Sequence, residues 1–544
     1  MKLLAARRTP AFKRTEAAVL GLYLALTGWV AIYHEPWTDE AQAWLLARDN
    51  SLCALLFRRL HYEGTPGLWH ALLWLFCRLH FSYAAMHAAT VFIGVAAAFL
   101  LLRRSPFPAL VRWLLPFSVA LAYQTPVIAR SYSLTPLLGF AICVALGAKK
   151  ERPLLVALLA GLLANTSLIA VFLAFGLAIF GFFAQRTELP PQKKNRLAAV
   201  ALFAVFGLFA LYTALPAPDT NEGQAQALAA NPRVAAVLAQ LTGSSARCTA
   251  QPAANCVTGN APRCQPATGN ATYRHHAHRG GALAALAHIA ALAFFPVSNL
   301  NLLALAFYAA LIYWQWKHKA LICSLPLLAT LIGAKVLPFS EHHTSVLWAA
   351  IIVTLWLTWQ RIDSQEKIKF DSVFAVVLLA VLVQQIAWTA FAATYDLHHP
   401  FDGSVEAAQY LETNAGGRAI AGFNYHSIGL AAFAPRNLYF NQSTAYWPWS
   451  CAADSDARIA EALSQHPQFV VAGESYDGDV SWRNQILKEK PAWTRNDEDG
   501  IAAMLETHGY RPTHRFCGNQ PAQFGFSEQS CEVIYEPQTT DQKQ

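Results

Sequence analysis

Residues 16–33 read EAAVLGLYLALTGWVAIY, an apolar tract nearly as long as a membrane-crossing helix. Such a helix needs about 20 mostly apolar residues to cross the hydrocarbon core. The residues before the tract are basic, namely Lys2, Arg7, Arg8, Lys13 and Arg14. Because basic residues favour the cytoplasmic side, the N-terminus is predicted to be cytoplasmic. No small-residue cleavage site follows, so the tract is predicted to be a retained anchor.

Further apolar tracts recur up to about Tyr395, after which the composition becomes that of an ordinary soluble domain. Only 14% of the 544 residues are charged, against about 25% in soluble domains. We therefore predict a transmembrane domain over residues 1–394 and an extracytoplasmic domain over residues 395–544. The net charge of +8 lies in short loops, which argues against the contiguous basic face of a nucleic-acid-binding protein.

Short basic clusters separate the apolar tracts and predict their orientation. If every cluster lies inside, the positive-inside rule gives about eleven transmembrane helices. A long tract is split in two near Asn165 in this prediction. The spans after the first are predicted to begin near Ala84, Ala109, Tyr132, Pro153, Leu168, Leu197, Asn301, Ala320, Thr344 and Phe370.

Two other apolar segments, Pro66–Phe81 and Gly281–Pro296, cannot both cross the membrane in this arrangement, because the basic clusters would then lie outside. Both are predicted to be helices in the outer interface. In the first, Trp69, Leu72 and Phe76 recur at helical spacing, as in an interfacial helix. The alternative is a pair of short spans with a weaker charge bias.

The C-terminal region alternates helix-like and strand-like patterns. Helices are predicted at Ser404–Thr413 and Asp456–His466, and strands at Arg418–Phe423 and Gln468–Gly473. A region of about 150 residues is long enough to hold a core. The predicted fold class is therefore an α-helical polytopic membrane protein with interfacial helices and a small C-terminal α/β extracytoplasmic domain.

Most of the ten cysteines fall outside the membrane in this topology. An oxidising compartment would permit disulfides there, although the sequence does not give the pairing. Candidate pairs are Cys517 with Cys531, and two of the three cysteines in the loop Pro216–Gly280. The composition of this loop does not indicate its role.

The residues after the first span are the most informative ones for function. They read His34-Glu35-Pro36-Trp37-Thr38-Asp39-Glu40-Ala41. Thr38 or Asp39 is predicted to cap a helix, which places two carboxylates at a helix N-terminus at the membrane surface. Such carboxylates fit either chemistry or plain helix capping. The spacing alone does not decide between the two.

Three other segments bring polar groups to the same depth. They are His61–His70, the turn Ala129–Tyr132 and the turn Lys335–His343. A single Lys or Arg at such a place often reaches the membrane interface merely to keep its charge in water, without binding a ligand. Several cations from distant segments favour an anionic headgroup such as a phosphate. The spans themselves carry few charges, which disfavours a pump or a secondary transporter.

These motifs resemble those of the bacterial GT-C class of glycosyltransferases, which includes protein O-mannosyltransferases and lipid A aminoarabinose transferases. The resemblance lies in Trp37–Ala41, Glu63–Trp69, Ala129–Tyr132 and Lys335–His343, and in the layout of the chain. Many relatives have His-Pro-Pro-Leu where this chain has Thr65-Pro66-Gly67-Leu68. Many also have a second acidic residue in the turn of Arg130, and this chain has none there.

The resemblance implies transfer of a sugar from a polyprenyl-phosphate donor to the hydroxyl of a lipid, glycan or protein acceptor, in a bacterial inner membrane. It implies Asp39 as the catalytic base, with Glu40 as its partner. The reaction that it implies requires no cofactor. The resemblance assigns no metal ligand, and a divalent cation near Asp39 is compatible with it. The residues that it implies for substrate binding are Trp37, Arg58, Glu63, Arg130, Tyr132, Lys335, His342 and His343.

Two other classes of protein fit the same sequence. A transporter or lipid-linked-sugar flippase would move its substrate without covalent chemistry, and a membrane scaffold would use the C-terminal domain for binding only. The scarcity of charges in the predicted spans disfavours the first alternative.

Overall fold

The computed structural model describes residues 14–184, 193–215, 217, 282–294, 302–337, 339, 343–362, 372–449, 456–478, 493–496, 500–519 and 527–538. Most of the loop 216–280 and its three cysteines lie outside these residues, as do Glu341 and His342.

Most of the described chain is helical. The helices up to the first large gap are α1 (Arg14–Tyr33), α2 (Thr38–Asp49), α3 (Leu68–Arg78), α4 (Ala85–Arg104), α5 (Ala109–Leu114), α6 (Leu134–Leu146), α7 (Pro153–Ala164), α8 (Leu168–Ile179) and α9 (Lys193–Ala214). The next are α10 (Ala282–Leu292), α11 (Leu302–Lys317), α12 (Leu325–Val336), α13 (Thr344–Arg361), α14 (Ser372–His398), α15 (Ser404–Asn414), α16 (Asp456–Ser464) and α17 (Ile501–Thr507). Shorter helical turns, among them Leu52–Ala54 and Leu60–Glu63, connect them.

Among the described residues, four helices are long and apolar enough to cross a membrane: α1, α4, Asn195–Ala214 of α9 and Val373–His398 of α14. Their large apolar side chains are often exposed, as in Ile32, Leu208 and Val376. Exposed apolar surface of this extent is typical of a membrane contact. The chain is thus a membrane protein with mostly helical structure. The total of about eleven spans stays a prediction.

The long tract after Pro153 is broken where we predicted it. Helix α7 ends at Ala164, and the amide of Asn165 donates to the carbonyl oxygens of Gly161 at 2.8 Å and Phe206 at 3.1 Å. The hydroxyl of Ser167 then accepts from the backbone N–H of Ala170 and caps α8. Side-chain bonds to the free backbone groups let the break lie inside the bundle.

The span predicted from Ala109 is a broken helix. Helix α5 has six residues and gives way to a 3₁₀ turn, Leu115–Phe117, and a π-helical turn, Ala120–Gln124. Pro116 lies in the 3₁₀ turn, and a proline interrupts regular helical hydrogen bonding because it has no N–H. The apolar pattern indicated a long helix here, and the proline ended it.

The two segments predicted not to cross contain helices of 11 residues each, α3 and α10. Such a helix is about 16 Å long, which is too short for the hydrocarbon core. Helix α13 differs from the helices with exposed apolar side chains, because every residue from Thr344 to Trp359 is buried. A helix that is buried on all sides lies at the centre of its bundle.

A small mixed sheet follows α14. Its strands are β1 (Ile420–Phe423), β2 (Phe469–Gly478), β3 (Trp493–Asn496), β4 (Tyr510–Asn519) and β5 (Ser527–Pro537). The order is β1-β2-β5-β4, with β3 paired to β2. Strands β1 and β2 are parallel, and the other pairs are antiparallel.

The local predictions for this region are confirmed. Helices α15 and α16 and strands β1 and β2 lie within two residues of their predicted starts. The predicted disulfide between Cys517 and Cys531 joins facing positions of β4 and β5. The proposed boundary at residue 394 stays a prediction, and α14 itself runs on to His398.

The sheet region shares a hydrophobic core with α2 and α3. Leu45 and Trp69 lie in one cluster with Ile428, Leu430 and Ile534, and all five are at most 1% exposed. The C-terminal region therefore packs directly against the helix that carries Asp39.

Candidate active site

Helix α2 begins one or two residues earlier than the capping prediction, Thr38 or Asp39, implied. Its N-cap is Trp37, in extended conformation, whereas Thr38 and Asp39 were the expected caps. The carboxylate of Glu40 accepts from the backbone N–H of Trp37 at 3.0 Å, which is the return bond of a capping box. Capping therefore occupies Glu40 and leaves the side chain of Asp39 available.

The side chain of Asp39 lies between two groups from distant parts of the chain. Its Oδ2 pairs with the guanidinium of Arg130, and its Oδ1 accepts a hydrogen bond from the hydroxyl of Tyr425. The Asp39 side chain is 24% exposed and that of Arg130 is 20% exposed. A carboxylate and a guanidinium thus meet at a place that a substrate can reach.

Arg130 also faces an aromatic ring. Its guanidinium carbon lies 5.4 Å from the ring centre of Trp37, which is within the range of a cation–π contact. The preceding residue, Ala129, donates its backbone N–H to Oε1 of Glu40 at 2.5 Å. Glu40 therefore ties the turn of Arg130 to the first turn of α2.

Glu40 does not face the substrate side. It is 0% exposed and is surrounded by Nε2 of His34 at 3.3 Å and Nε2 of His87 at 3.1 Å. Burial alone raises the pKa of this carboxyl, but the two histidines outweigh burial and lower the pKa below its usual range. A carboxylate without exposed surface can position Asp39 and Arg130, and the predicted catalytic role of Glu40 stays a prediction.

His34 completes this buried network. Its Nδ1 lies 2.8 Å from Oδ2 of Asp396, which also accepts from the hydroxyl of Tyr123 at 3.1 Å. Burial lowers the pKa of His34, but the charges of Asp396 and Glu40 and their hydrogen bonds raise it to about 10. Without another cation present, His34 is therefore protonated at neutral pH.

Glu63 lies in the same region, near Tyr425. Its Oε1 accepts from the amide of Gln42 at 2.6 Å, and burial raises the pKa of Glu63 to about 7. Gln42 in turn exchanges two hydrogen bonds of 2.9 Å with the backbone of Trp447. Glu63 is thus held between α2 and the C-terminal region, near the site.

The other predicted cations differ in their surroundings. His343 lies close enough for the charge of Arg130 to affect it, and burial together with that charge lowers the pKa of His343 to about 3. At this pKa the imidazole of His343 is neutral at pH 7, and its predicted binding of the donor stays a prediction. Lys335 and Arg58 are exposed, and neither forms an ion pair within the part of the chain that the structure describes.

Two further residues were predicted to bind substrate, namely Tyr132 and His342. Tyr132 is 2% exposed and lies in the core of the helix bundle, so it offers almost no ring surface to a substrate. His342 lies outside the described residues, and its role stays a prediction.

Sequence reasoning missed Tyr425 and its neighbours. Tyr425 follows Asn424, whose φ of 58° is unusual for a residue other than glycine. The side chain of Asn424 stabilises this conformation by bonding both backbone groups of Gly473, at 2.7 and 3.0 Å. The ring of Tyr425 lies 4.5 Å from that of Trp449. The only local signal was the density of aromatic residues between Tyr439 and Trp449.

Comparison with known proteins gives a similarity to a solved enzyme structure. No family model matches the chain, and no curated protein matches it. Among solved structures, the chain is similar to the arabinofuranosyltransferase AftD from Mycobacteria, determined by cryo-EM, with a TM-score of 0.37 and 13% identity. The match covers 99% of this chain and 40% of AftD, so the chain spans less than half of that protein's length.

Proposed function

We propose that this chain is a membrane glycosyltransferase that moves a sugar from a polyprenyl-phosphate donor to an acceptor hydroxyl. The observation that carries the proposal is the meeting of Asp39 with Arg130 and Trp37 just beyond the end of α1. A base and a phosphate-binding cation at a membrane surface are the two groups that this reaction needs. The reaction is proposed for the extracytoplasmic face of a bacterial inner membrane, with the N-terminus in the cytoplasm.

In the proposed step, a carboxylate oxygen of Asp39 takes the proton of the acceptor hydroxyl. The acceptor oxygen forms a bond to the anomeric carbon, and the bond from that carbon to the phosphate oxygen breaks. The guanidinium of Arg130 stabilises the polyprenyl phosphate that leaves. Since Arg130 is paired with Asp39 before substrate binds, the incoming phosphate takes over Arg130 and frees the base.

The aromatic residues supply the remaining contacts in this proposal. Trp37 and Trp449 lie beside Arg130 and Tyr425 respectively, and such rings offer apolar faces to a sugar or to the lipid. Glu63, largely enclosed with a pKa of about 7, is proposed to bind a sugar hydroxyl. The step uses no cofactor, and a divalent cation next to Asp39 itself stays a prediction.

The direct test uses the purified full-length protein with labelled polyprenyl-phosphate hexoses or pentoses and an envelope extract as the source of acceptor. Release of polyprenyl phosphate is measured. Asp39→Asn is expected to lower the rate by about 100-fold or more, because general-base help is typically worth 10²–10⁴-fold. Asp49→Asn is the matched control, since Asp49 lies at the other end of the same helix and pairs with Arg48.

An unchanged rate in Asp39→Asn would refute the assignment of the base. Movement of the intact donor across a bilayer without release of polyprenyl phosphate would instead identify a flippase. Absence of both, with a folded protein, would favour a scaffold.

A further inference from the structure

Three potential metal ligands from three elements converge behind Asp39. They are Nε2 of His34, which follows α1, Nε2 of His87 in α4, and the carboxylate of Glu40 in α2. Their ligand atoms all lie within 4.8 Å of one another, and all three residues are buried. Two imidazoles and one carboxylate form a known ligand set of zinc.

The spacing of these atoms suits one small cation. Ligands of a tetrahedral ion with bonds of about 2.0 Å lie about 3.3 Å apart. Oε2 of Glu40 lies 3.3 Å from His34, and Oε1 lies 3.1 Å from His87. With Glu40 bound through both oxygens, a modest approach of the two imidazoles would give the ion four donor atoms in a distorted tetrahedron.

A fourth residue supports the cluster from behind. Asp396 accepts from Nδ1 of His34 at 2.8 Å, which leaves Nε2 of His34 turned toward Glu40. Histidines that bind metals typically give their other N–H to a carboxylate in this way. The second oxygen of Asp396, Oδ1, is buried and has no hydrogen-bond partner among the described residues, so a hydrogen-bond acceptor is left unsatisfied there.

The charge balance also fits a divalent ion. Glu40 and Asp396 together carry two negative charges inside the protein, and buried charge is tolerated only when it is paired. A divalent cation with two neutral imidazoles would neutralise both carboxylates, as would two imidazolium protons. Metal and protons therefore compete for the same place.

We infer that His34, Glu40 and His87 form a structural site for a divalent transition-metal ion of the zinc class, with Asp396 orienting His34. The ion joins the end of α1, the start of α2 and the start of α4. It has no open path to the substrate side, because Glu40 is fully buried. Its role is to hold α2, and the inference does not depend on the reaction proposed for Asp39.

The test is metal binding by the full-length protein. After chelation and desalting, the protein is titrated with zinc chloride, and bound zinc is measured by elemental analysis. We expect one zinc ion per chain and a higher melting temperature, since a ligand of the native state stabilises it. His87→Gln, which keeps a hydrogen-bonding side chain, is expected to weaken binding at least about 100-fold, and Asp396→Asn about 10–100-fold.

His399→Gln is the matched control, because His399 is exposed just beyond the end of α14. It should bind zinc as the unaltered protein does. Cobalt chloride gives a second measurement on the unaltered protein, in which a tetrahedral site produces visible absorbance. The inference is overturned if the unaltered protein binds no zinc or cobalt, or if His87→Gln binds as much zinc as His399→Gln. The four residues would then be a network held by protons alone.

Discussion

Asp39 and Glu40 are neighbours in sequence and differ completely in environment. The side chain of Asp39 is 24% exposed and meets Arg130 and Tyr425, whereas that of Glu40 is fully buried between two histidines. A step of one residue along the helix turns the two side chains about 100° apart. The two adjacent carboxylates therefore have different roles. Glu40 holds the start of the helix, and Asp39 remains accessible to solvent.

Substitutions of Arg130 and Arg58 would show which of these two predicted cations binds the donor. Arg130→Ala is expected to lower kcat/KM for the lipid donor about 10–100-fold, because a hydrogen bond to a charged group is worth about 1.5–3 kcal/mol. Arg58→Ala should have no effect, since Arg58 is exposed and is not among the groups that meet Asp39. Steady-state kinetics with varied donor concentration would separate the two. An unchanged kcat/KM for the donor in Arg130→Ala would contradict the assignment.

Tyr425 is predicted to position the base. Tyr425→Phe removes the hydrogen bond to Oδ1 of Asp39 and should lower kcat about tenfold, with little change in KM for the donor. Tyr410→Phe is the control, because its hydroxyl lies 3.5 Å from Glu536, in the same region of the chain but away from Asp39. Equal rates for the two variants would exclude a positioning role for Tyr425.

At the scale of elements, an acidic junction connects the segment before α2 with α15 and β5. Glu35 accepts from the backbone N–H of Val405 at 2.8 Å, and Ser404 bonds Asp402 at 2.6 Å and Glu532 at 3.4 Å. Burial is the main cause of the raised pKa of all three carboxyls, which reaches about 8 for Glu35. His426 acts in the opposite direction on Asp402.

A raised carboxyl pKa means that the folded protein binds the proton more tightly than the unfolded chain does. Stability from Glu35 is therefore fully present below pH 4.5 and is lost as the pH rises toward about 8. Glu35→Gln keeps the acceptor oxygen for Val405 and removes the charge. At pH 9 it should be more stable than the unaltered protein by at least about 1.4 kcal/mol, the equivalent of one unit of pKa.

Melting temperatures between pH 5 and pH 9 would measure this effect. Glu412→Gln, an exposed position on α15, is the control and should follow the unaltered protein throughout. A constant difference between Glu35→Gln and the unaltered protein at every pH would contradict the predicted titration of Glu35.

At the scale of the whole molecule, the C-terminal region acts as a wall of the candidate site. Leu430 and Ile428 pack in the same core as Leu45 of α2, and the polar contacts of Tyr425 and Trp447 reach Asp39 and Gln42. The other face of the sheet has its own core, which includes Leu505 and Val533. Damage to the two cores should therefore have different consequences for activity.

Leu430→Ala and Leu505→Ala form a matched pair, because both side chains are 0% exposed. Each should lower stability by about 2–5 kcal/mol. Only Leu430→Ala should also lower turnover below the melting transition, since it loosens the support of α2. Thermal melting and donor-turnover assays on both variants would check this. A similar loss of turnover in both would show that the two cores do not differ in their effect on the site.

The sequence by itself determined the local features of this protein. The apolar pattern indicated the break at Asn165, the alternation of residues indicated the starts of β1 and β2, and Cys517 with Cys531 was a candidate disulfide pair that the structure contains. These features depend on periodicity, capping and short separations along the chain. The 3₁₀ turn at Pro116 was missed because the apolar pattern outweighed a single residue in the prediction.

Only the tertiary structure decided which carboxylate is accessible and which groups surround it. Asp39 and Tyr425 are separated by 386 positions, and His34 and Asp396 by 362. Contacts over such separations arise from the packing of whole helices and of the sheet, and no local pattern specifies them. For the same reason the sequence did not decide which of the predicted cations at 58, 335 and 343 lies near Arg130, although each stood in a suitable local sequence.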